Sequence, residues 1–330
     1  MPRCQHRQDR CFMHIIKKLG RASAAALIQY INLLTGAKVL HFLQFSKFPA
    51  IYFVSSIKTI IFAPVMKKGK MDDLDVIYAA IAASGFSKET LQKIDDLTND
   101  ILYGRKDFNG FTLPEHAGLC KGGSPLIGAS IVVSYARRSL TTGGNAESSE
   151  GSSPANWQID EEQERLLEAW ARAKGLWFEN SDSIIQKNFG PMIAQGAEAK
   201  VYYKEGDPSV AKERTSIYST TNKALEAIAL HNHLFPETAM RVIGFTRDSD
   251  NLLRIVLTQP YIRCQRLATK EEIDAMVAEK GFHDNWQGQG VNYISERLAL
   301  EDMHPANVFI DELTGMPTCI DCIVKFVSPR

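Results

Sequence analysis

The chain has 330 residues, of which 45% are hydrophobic and 23% charged, with 38 Lys/Arg against 38 Asp/Glu. These are the proportions of a soluble globular protein with room for two domains, and they exclude a fibrous or wholly disordered chain. The zero net charge hides a split. Residues 1–70 hold 12 Lys/Arg and one acid, Asp9, which leaves 26 Lys/Arg and 37 Asp/Glu for the rest, a net of −11. An acidic body of this kind repels phosphate backbones, so nucleic acid is not an expected partner. The six cysteines (4, 11, 120, 264, 319 and 322) are scattered, which excludes a secreted disulfide framework and points to a reducing cytoplasm.

Within the basic leader, residues 22–36 and 49–66 are apolar, but Lys58, Pro49 and Pro64 interrupt the second, and neither reaches the ~18 clean apolar residues of a spanning helix. Two readings of residues 1–65 stand side by side: a basic membrane-surface segment, or translated sequence upstream of a functional start at Met66 or Met71, dispensable for the fold. Cys4, Cys11, His6 and His14 do not have zinc-site spacing.

Residues 72–84 and 88–103 have helical periodicity. Ser87 is placed to cap the second helix, and Leu91, Ile94, Leu97 and Ile101 form its apolar stripe. The stretch 104–138 is mixed, punctuated by Gly110, Pro114, Gly118, Gly122, Gly123 and Pro125, and residues 71–138 together read as a helical accessory region. Residues 139–156 are polar and of low complexity. They predict a flexible linker and a domain boundary. A charged helix follows over 159–174, with Leu166, Leu167 and Trp170 on one side.

Beyond it the pattern shortens to β runs. Ala199–Tyr203 and Ser209–Arg214 flank the turn Glu205-Gly-Asp-Pro208, and Thr220–Leu234 predicts a helix. Arg241–Thr246 and Leu252–Thr258 read as strands, and Thr269-x-x-Glu272 is a capping box that opens another helix. Asn307–Asp311 and Pro317–Val324 bracket a second turn at Leu313-Thr-Gly315. The sum is an α+β fold.

The segment Leu300-Glu-Asp302-Met-His304-Pro-Ala-Asn307 carries the most chemistry. Phosphoryl transfer needs a carboxylate beside the attacking hydroxyl and oxygen ligands for magnesium. Asp302 suits the first role as catalytic base. Asn307, five residues on, and Asp321, in the apolar run Cys-Ile-Asp-Cys-Ile-Val, suit the second as metal ligands. Taken singly, the same residues read as a turn Asp, a capping Asn and a strand-end Asp. Lys212, on a strand after a hairpin, suits nucleotide phosphates, paired with Glu226 on the next helix or, as a weaker alternative, with Glu237 beside Pro236 at the helix end. The competing reading is a solvated lysine and a surface glutamate. Gly196 permits a close phosphate turn. Tyr261 and Ile262, after the apolar strand, offer backbone groups to an adenine edge, although Pro260 reads equally as a strand end. Cys319-x-x-Cys322 has no second pair near it in sequence, and His231 and His233 diverge on a helix, so ordinary packing is the reading for all four.

Gly196-x-Glu198-Ala-x-Val201-Tyr202, Lys212, Leu234-Phe-Pro236, Gln259-Pro260-Tyr261-Ile262, Asp302-x-His304-Pro-x-Asn307 and Ile320-Asp321 together resemble the kinase domain of polyvalent proteins, encoded by phages and conjugative elements. The resemblance covers about 157–330, and the Asp-x-His-Pro-x-Asn loop is also similar to that of aminoglycoside and choline phosphotransferases. It implies a protein-kinase-like fold with a small N-lobe and a truncated C-lobe. It further implies ATP and Mg²⁺ as cofactors, and phosphorylation of a hydroxyl on a protein or small molecule. The chain departs from ordinary kinases in having Leu300-Glu301 in place of His-Arg, Asp321-Cys-Ile in place of Asp-Phe-Gly, and nine residues after Asp321. The substrate platform is therefore expected to come from residues 71–156 or a partner, or to be missing through truncation. Two readings follow: an active atypical kinase, or a pseudokinase that binds nucleotide or a partner without catalysis.

Overall fold

The computed structural model describes residues 72–108, 117–141, 154–179, 181–196, 198–215, 220–285 and 291–327. The expectations for residues 1–70, and for the middle of the linker, fall outside these residues.

Two helices open the fold, α1 (Asp73–Ser84) and α2 (Lys88–Leu102), each started by a side chain that accepts a backbone N–H: Asp72 from Asp75 and Ser87 from Thr90. Next come α3 (Ala117–Lys121), α4 (Gly123–Thr141) and α5 (Pro154–Ala173). Of the mixed stretch 104–138, the described residues from Ala117 on are largely helical. Pro125 falls in the first turn of α4, where its missing N–H costs nothing. Two of the glycines are contact points instead of turns. A Cβ on Gly128 would lie 2.5 Å from the Trp170 ring, and one on Gly118 would lie 2.1 Å from the Ala229 carbonyl oxygen. Both let helices approach more closely than any side chain allows.

After α6 (Ser181–Phe189) the chain enters a five-stranded antiparallel sheet ordered β1-β2-β3-β5-β4. Its strands are β1 (Met192–Gln195), β2 (Ala199–Tyr202), β3 (Ser209–Arg214), β4 (Arg241–Arg247) and β5 (Leu253–Pro260), with α7 (Thr221–Leu234) between β3 and β4. The hairpin around Gly206 and the helix before β4 agree with the sequence reading, and the Thr220 side chain caps α7.

Two smaller sheets follow. One is ordered β11-β10-β6, from β6 (Cys264–Leu267), β10 (Val308–Asp311) and β11 (Pro317–Cys319). The other is ordered β12-β9-β8-β7, from β7 (His283–Asp284), β8 (Val291–Ile294), β9 (Leu298–Glu301) and β12 (Ile323–Phe326). Helix α8 (Lys270–Glu279) has the full Thr269/Glu272 capping box. Asp321 lies in the connection between β11 and β12, not in one continuous strand as the apolar run suggests.

One apolar cluster joins Ile94, Ile127, Ile131, Leu167, Trp170, Leu225, Val242, Phe245 and Leu257. The helices before the expected linker therefore share a core with the five-stranded sheet and α7. Each fully buried side chain of this size contributes roughly 1.5–3 kcal/mol relative to exposure. The two ends of the expected linker are helical, since α4 runs to Thr141 and α5 begins at Pro154. A second cluster packs Leu230, Phe235, Ile273, Tyr293, Leu300, Met303, Cys319 and Cys322 among the smaller sheets. Helix α7 serves both, with Leu225 and Ile228 in the first cluster and Leu230 in the second. No helix among the described residues is long and apolar enough to cross a membrane.

Candidate active site

Side chains alternate across a strand, so residues two apart on β3 share a face. Lys212 and Arg214 both project toward the β11–β12 connection, while Glu213 points to the opposite face and is fully buried near Tyr202, whose hydroxyl lies 3.3 Å from it. The Lys212 ammonium donates to the Ile320 carbonyl at 3.1 Å and lies 3.7 Å from Asp321 Oδ2. Arg214 Nη1 lies 3.2 Å from Asp321 Oδ1. Burial raises the Asp321 carboxyl, but Arg214 first, then Lys212 and His231, hold it below the ordinary carboxylate range. Burial pulls the Lys212 ammonium below its ordinary value, against the opposing pull of Asp321.

Glu198, at the β1–β2 turn, sits 3.9 Å from Arg214. Its carboxyl is raised, chiefly by burial; Arg214 opposes this, and the charges of Asp321 and Asp302 add to it. Three carboxylates and two cations thus share one field. Gly196 lies in the same turn and closes it by donating its N–H to the Ala199 carbonyl at 2.8 Å. A cavity of about 260 Å³ adjoins the cluster, lined by Glu198, Arg214, Glu226, Glu301 and Lys325 among others.

The second half of the site is the connection from β9 to β10. Asp302 has φ +59°, the left-handed region that costs a residue with a side chain on the order of 1–3 kcal/mol. Local hydrogen bonds hold it there. Asn307 Nδ2 donates to the Asp302 carbonyl and to Asp302 Oδ2, both at 2.9 Å, so its Oδ1 faces the other way. His304 Nδ1 accepts from the Ala306 N–H at 3.2 Å, which leaves Nε2 3.1 Å from Asp302 Oδ1. Asn292 on β8 accepts the Met303 N–H at 2.7 Å. The two connections are tied together by the Ile320 N–H, which donates to the Asn307 carbonyl at 2.9 Å.

The fold therefore brings Lys212 to Asp321 and Asp302 to Asn307, with Gly196 in the turn that carries Glu198. Two expected placements differ. Glu226 does not reach Lys212; its Oε1 accepts from Lys223 at 3.1 Å, one turn away on α7. Lys223 is the nearer cation along the helix, whereas Lys212 is drawn to the half-buried Asp321. Tyr261 donates its N–H to the Pro208 carbonyl at 2.9 Å, because β5 and β3 stay paired through Pro260 and Ser209. That N–H is thereby withdrawn from an adenine edge, and the Tyr261 ring stacks on Tyr203 at 4.2 Å. Ile262 follows directly, beyond the last pair of the sheet.

Arg214, Glu198 and His304 were not singled out as site residues by sequence reasoning. The signal for Arg214 was available, since it stands two positions after Lys212 on a strand. Glu198 is brought in by the pairing of Ala199 with Arg214.

Does the pocket suit a divalent cation? Asp321 Oδ1 is buried without a hydrogen-bond partner, close to Arg214 but not aligned with it. An anionic oxygen in that state, with an amide oxygen on the adjoining loop, is a donor set that fits a hard cation.

An antiparallel five-stranded sheet with one inserted helix, over a loop holding Asp and Asn and a following connection holding a second Asp, is the architecture of the kinase class. Residues 160–328 match the serine/threonine/tyrosine kinases found in polyvalent proteins, and the chain belongs to that family. No curated protein matches the chain.

Proposed function

We propose that this kinase transfers phosphate from ATP to a hydroxyl of a protein or small-molecule substrate, with magnesium as the metal. The observation that supports this most is the convergence of Lys212 and Arg214 on Asp321, beside a loop that holds Asp302 and Asn307 by hydrogen bonds. Lys212 and Arg214 bind the nucleotide phosphates. Asn307 and Asp321 hold magnesium, which neutralises charge on the transferring group. Asp302, fixed by Asn307 and His304, orients the substrate hydroxyl and takes its proton. Ile262 offers its backbone to the adenine. The pairing of Glu226 with Lys223 supports a second reading, a pseudokinase that binds nucleotide without turnover.

Calorimetric titration of the full chain with ATP, with and without magnesium, tests the proposal. Binding should strengthen with magnesium and weaken at least tenfold in Lys212→Ala. Absence of ATP binding by the folded protein would remove both readings.

A further inference from the structure

His231, Cys319 and Cys322 are all buried, and the ligand atoms they offer lie within 4.8 Å of one another. The phosphoryl-transfer reading uses none of them. In a tetrahedral zinc site, Zn–S of about 2.3 Å and Zn–N of about 2.0–2.1 Å put two ligands of this kind about 3.6 Å apart. His231 Nδ1 and Cys322 Sγ are 3.5 Å apart. Met303 Sδ, a fourth soft donor, lies 3.6 Å from Cys319 Sγ. Ligating histidines commonly donate their other ring N–H to a carbonyl, which fixes ring and tautomer. Here His231 Nε2 is 3.3 Å from the Thr238 carbonyl, which also accepts from Gln259 at 2.7 Å. Thr238 in turn donates its hydroxyl to the Cys319 carbonyl at 2.6 Å. The surround is therefore built to hold both His231 and the backbone of Cys319.

We propose that His231, Cys319 and Cys322, with Met303 at the fourth position, form a structural site for a thiophilic d¹⁰ cation, zinc(II) or copper(I). Binding converts both thiols to thiolates and releases two protons to solvent. The site ties α7 to the β11–β12 connection. Cys319 and Cys322 bracket Asp321, and Met303 follows Asp302, so one ion pins the backbone on both sides of Asp321 and directly after Asp302.

The test uses the full chain purified without chelators. Elemental analysis should find about one zinc or copper per chain, and which metal it is separates the two sources. Cobalt(II) added to protein stripped of metal should give sulfur-to-cobalt charge-transfer absorption in the near ultraviolet. Cys322→Ser and His231→Gln should lose the metal, while Cys4→Ser/Cys11→Ser should keep it. If the site variants do not fold, the wild-type cobalt spectrum and X-ray absorption, read for sulfur and nitrogen neighbours, decide the matter. Three results would each overturn the proposal. One is folded wild-type protein that carries no metal and takes up neither cobalt, zinc nor copper(I). Another is a mass two daltons low from a Cys319–Cys322 disulfide. The last is metal retention in Cys322→Ser.

Discussion

Arg214 Nη1 lies 3.2 Å from Asp321 Oδ1 across the gap between β3 and the β11–β12 connection. This contact makes Asp321 the common partner of two cations, since Lys212 approaches its other oxygen. Removing one partner of a fully buried pair costs about 3–5 kcal/mol. Asp321 keeps 29% of its side chain exposed and retains Lys212, so Arg214→Met should cost less, about 1–2 kcal/mol. The pH dependence has a definite sign. Asp321 is held below its ordinary value in the fold, so the pair stabilises fully above the unfolded carboxyl value and is lost as pH falls from there through the lower folded value. Urea unfolding at pH 7 and pH 3 should show the cost of Arg214→Met shrinking at low pH. An equal cost at both would mean that packing, not charge, sets it.

Asp302→Asn should leave ATP affinity within about twofold and lower phosphoryl transfer by about 10²–10⁴. The substitution keeps shape and hydrogen-bonding reach to Asn307 and His304 but removes the charge that orients the hydroxyl. Radiolabel transfer from ATP to the protein itself or to a cell extract, run beside ATP titration, separates the effects. Equal transfer by the two forms would take Asp302 out of the mechanism. Intact binding with no transfer by either would favour the pseudokinase.

Residues 157–330 should not fold without the helices before them. Ile127, Ile131 and Val132 are fully buried in the core that also holds Trp170 and Phe245, and deleting them exposes that face. Circular dichroism of the fragment should show a broad, weakly cooperative melt beside a sharp one for 66–330. Within the intact chain, Gly118→Ala should destabilise by about 1–3 kcal/mol, because its Cβ would meet the Ala229 carbonyl and backbone must move. A fragment that melts as sharply as the longer chain would show that the helical layer is accessory.

Much was legible in the residues themselves. The order Lys212, Asp302, Asn307, Asp321, the hairpin at Gly206, the caps at Ser87 and Thr269 and the α+β class are local facts. They follow from side-chain alternation, turn residues and capping hydrogen bonds made within a few positions. What only the tertiary structure decided are the choices between partners of similar chemistry. Glu226 had two lysines within its chemistry and took Lys223. Asp321 took Arg214 as well as Lys212. Gly118 and Gly128 became helix crossings instead of turns, since a glycine permits both and the neighbour selects. The pair Cys319 and Cys322 lacked a partner in sequence, yet His231 lies beside them across 91 positions. Such contacts depend on how layers stack, and burial, not local propensity, selects them.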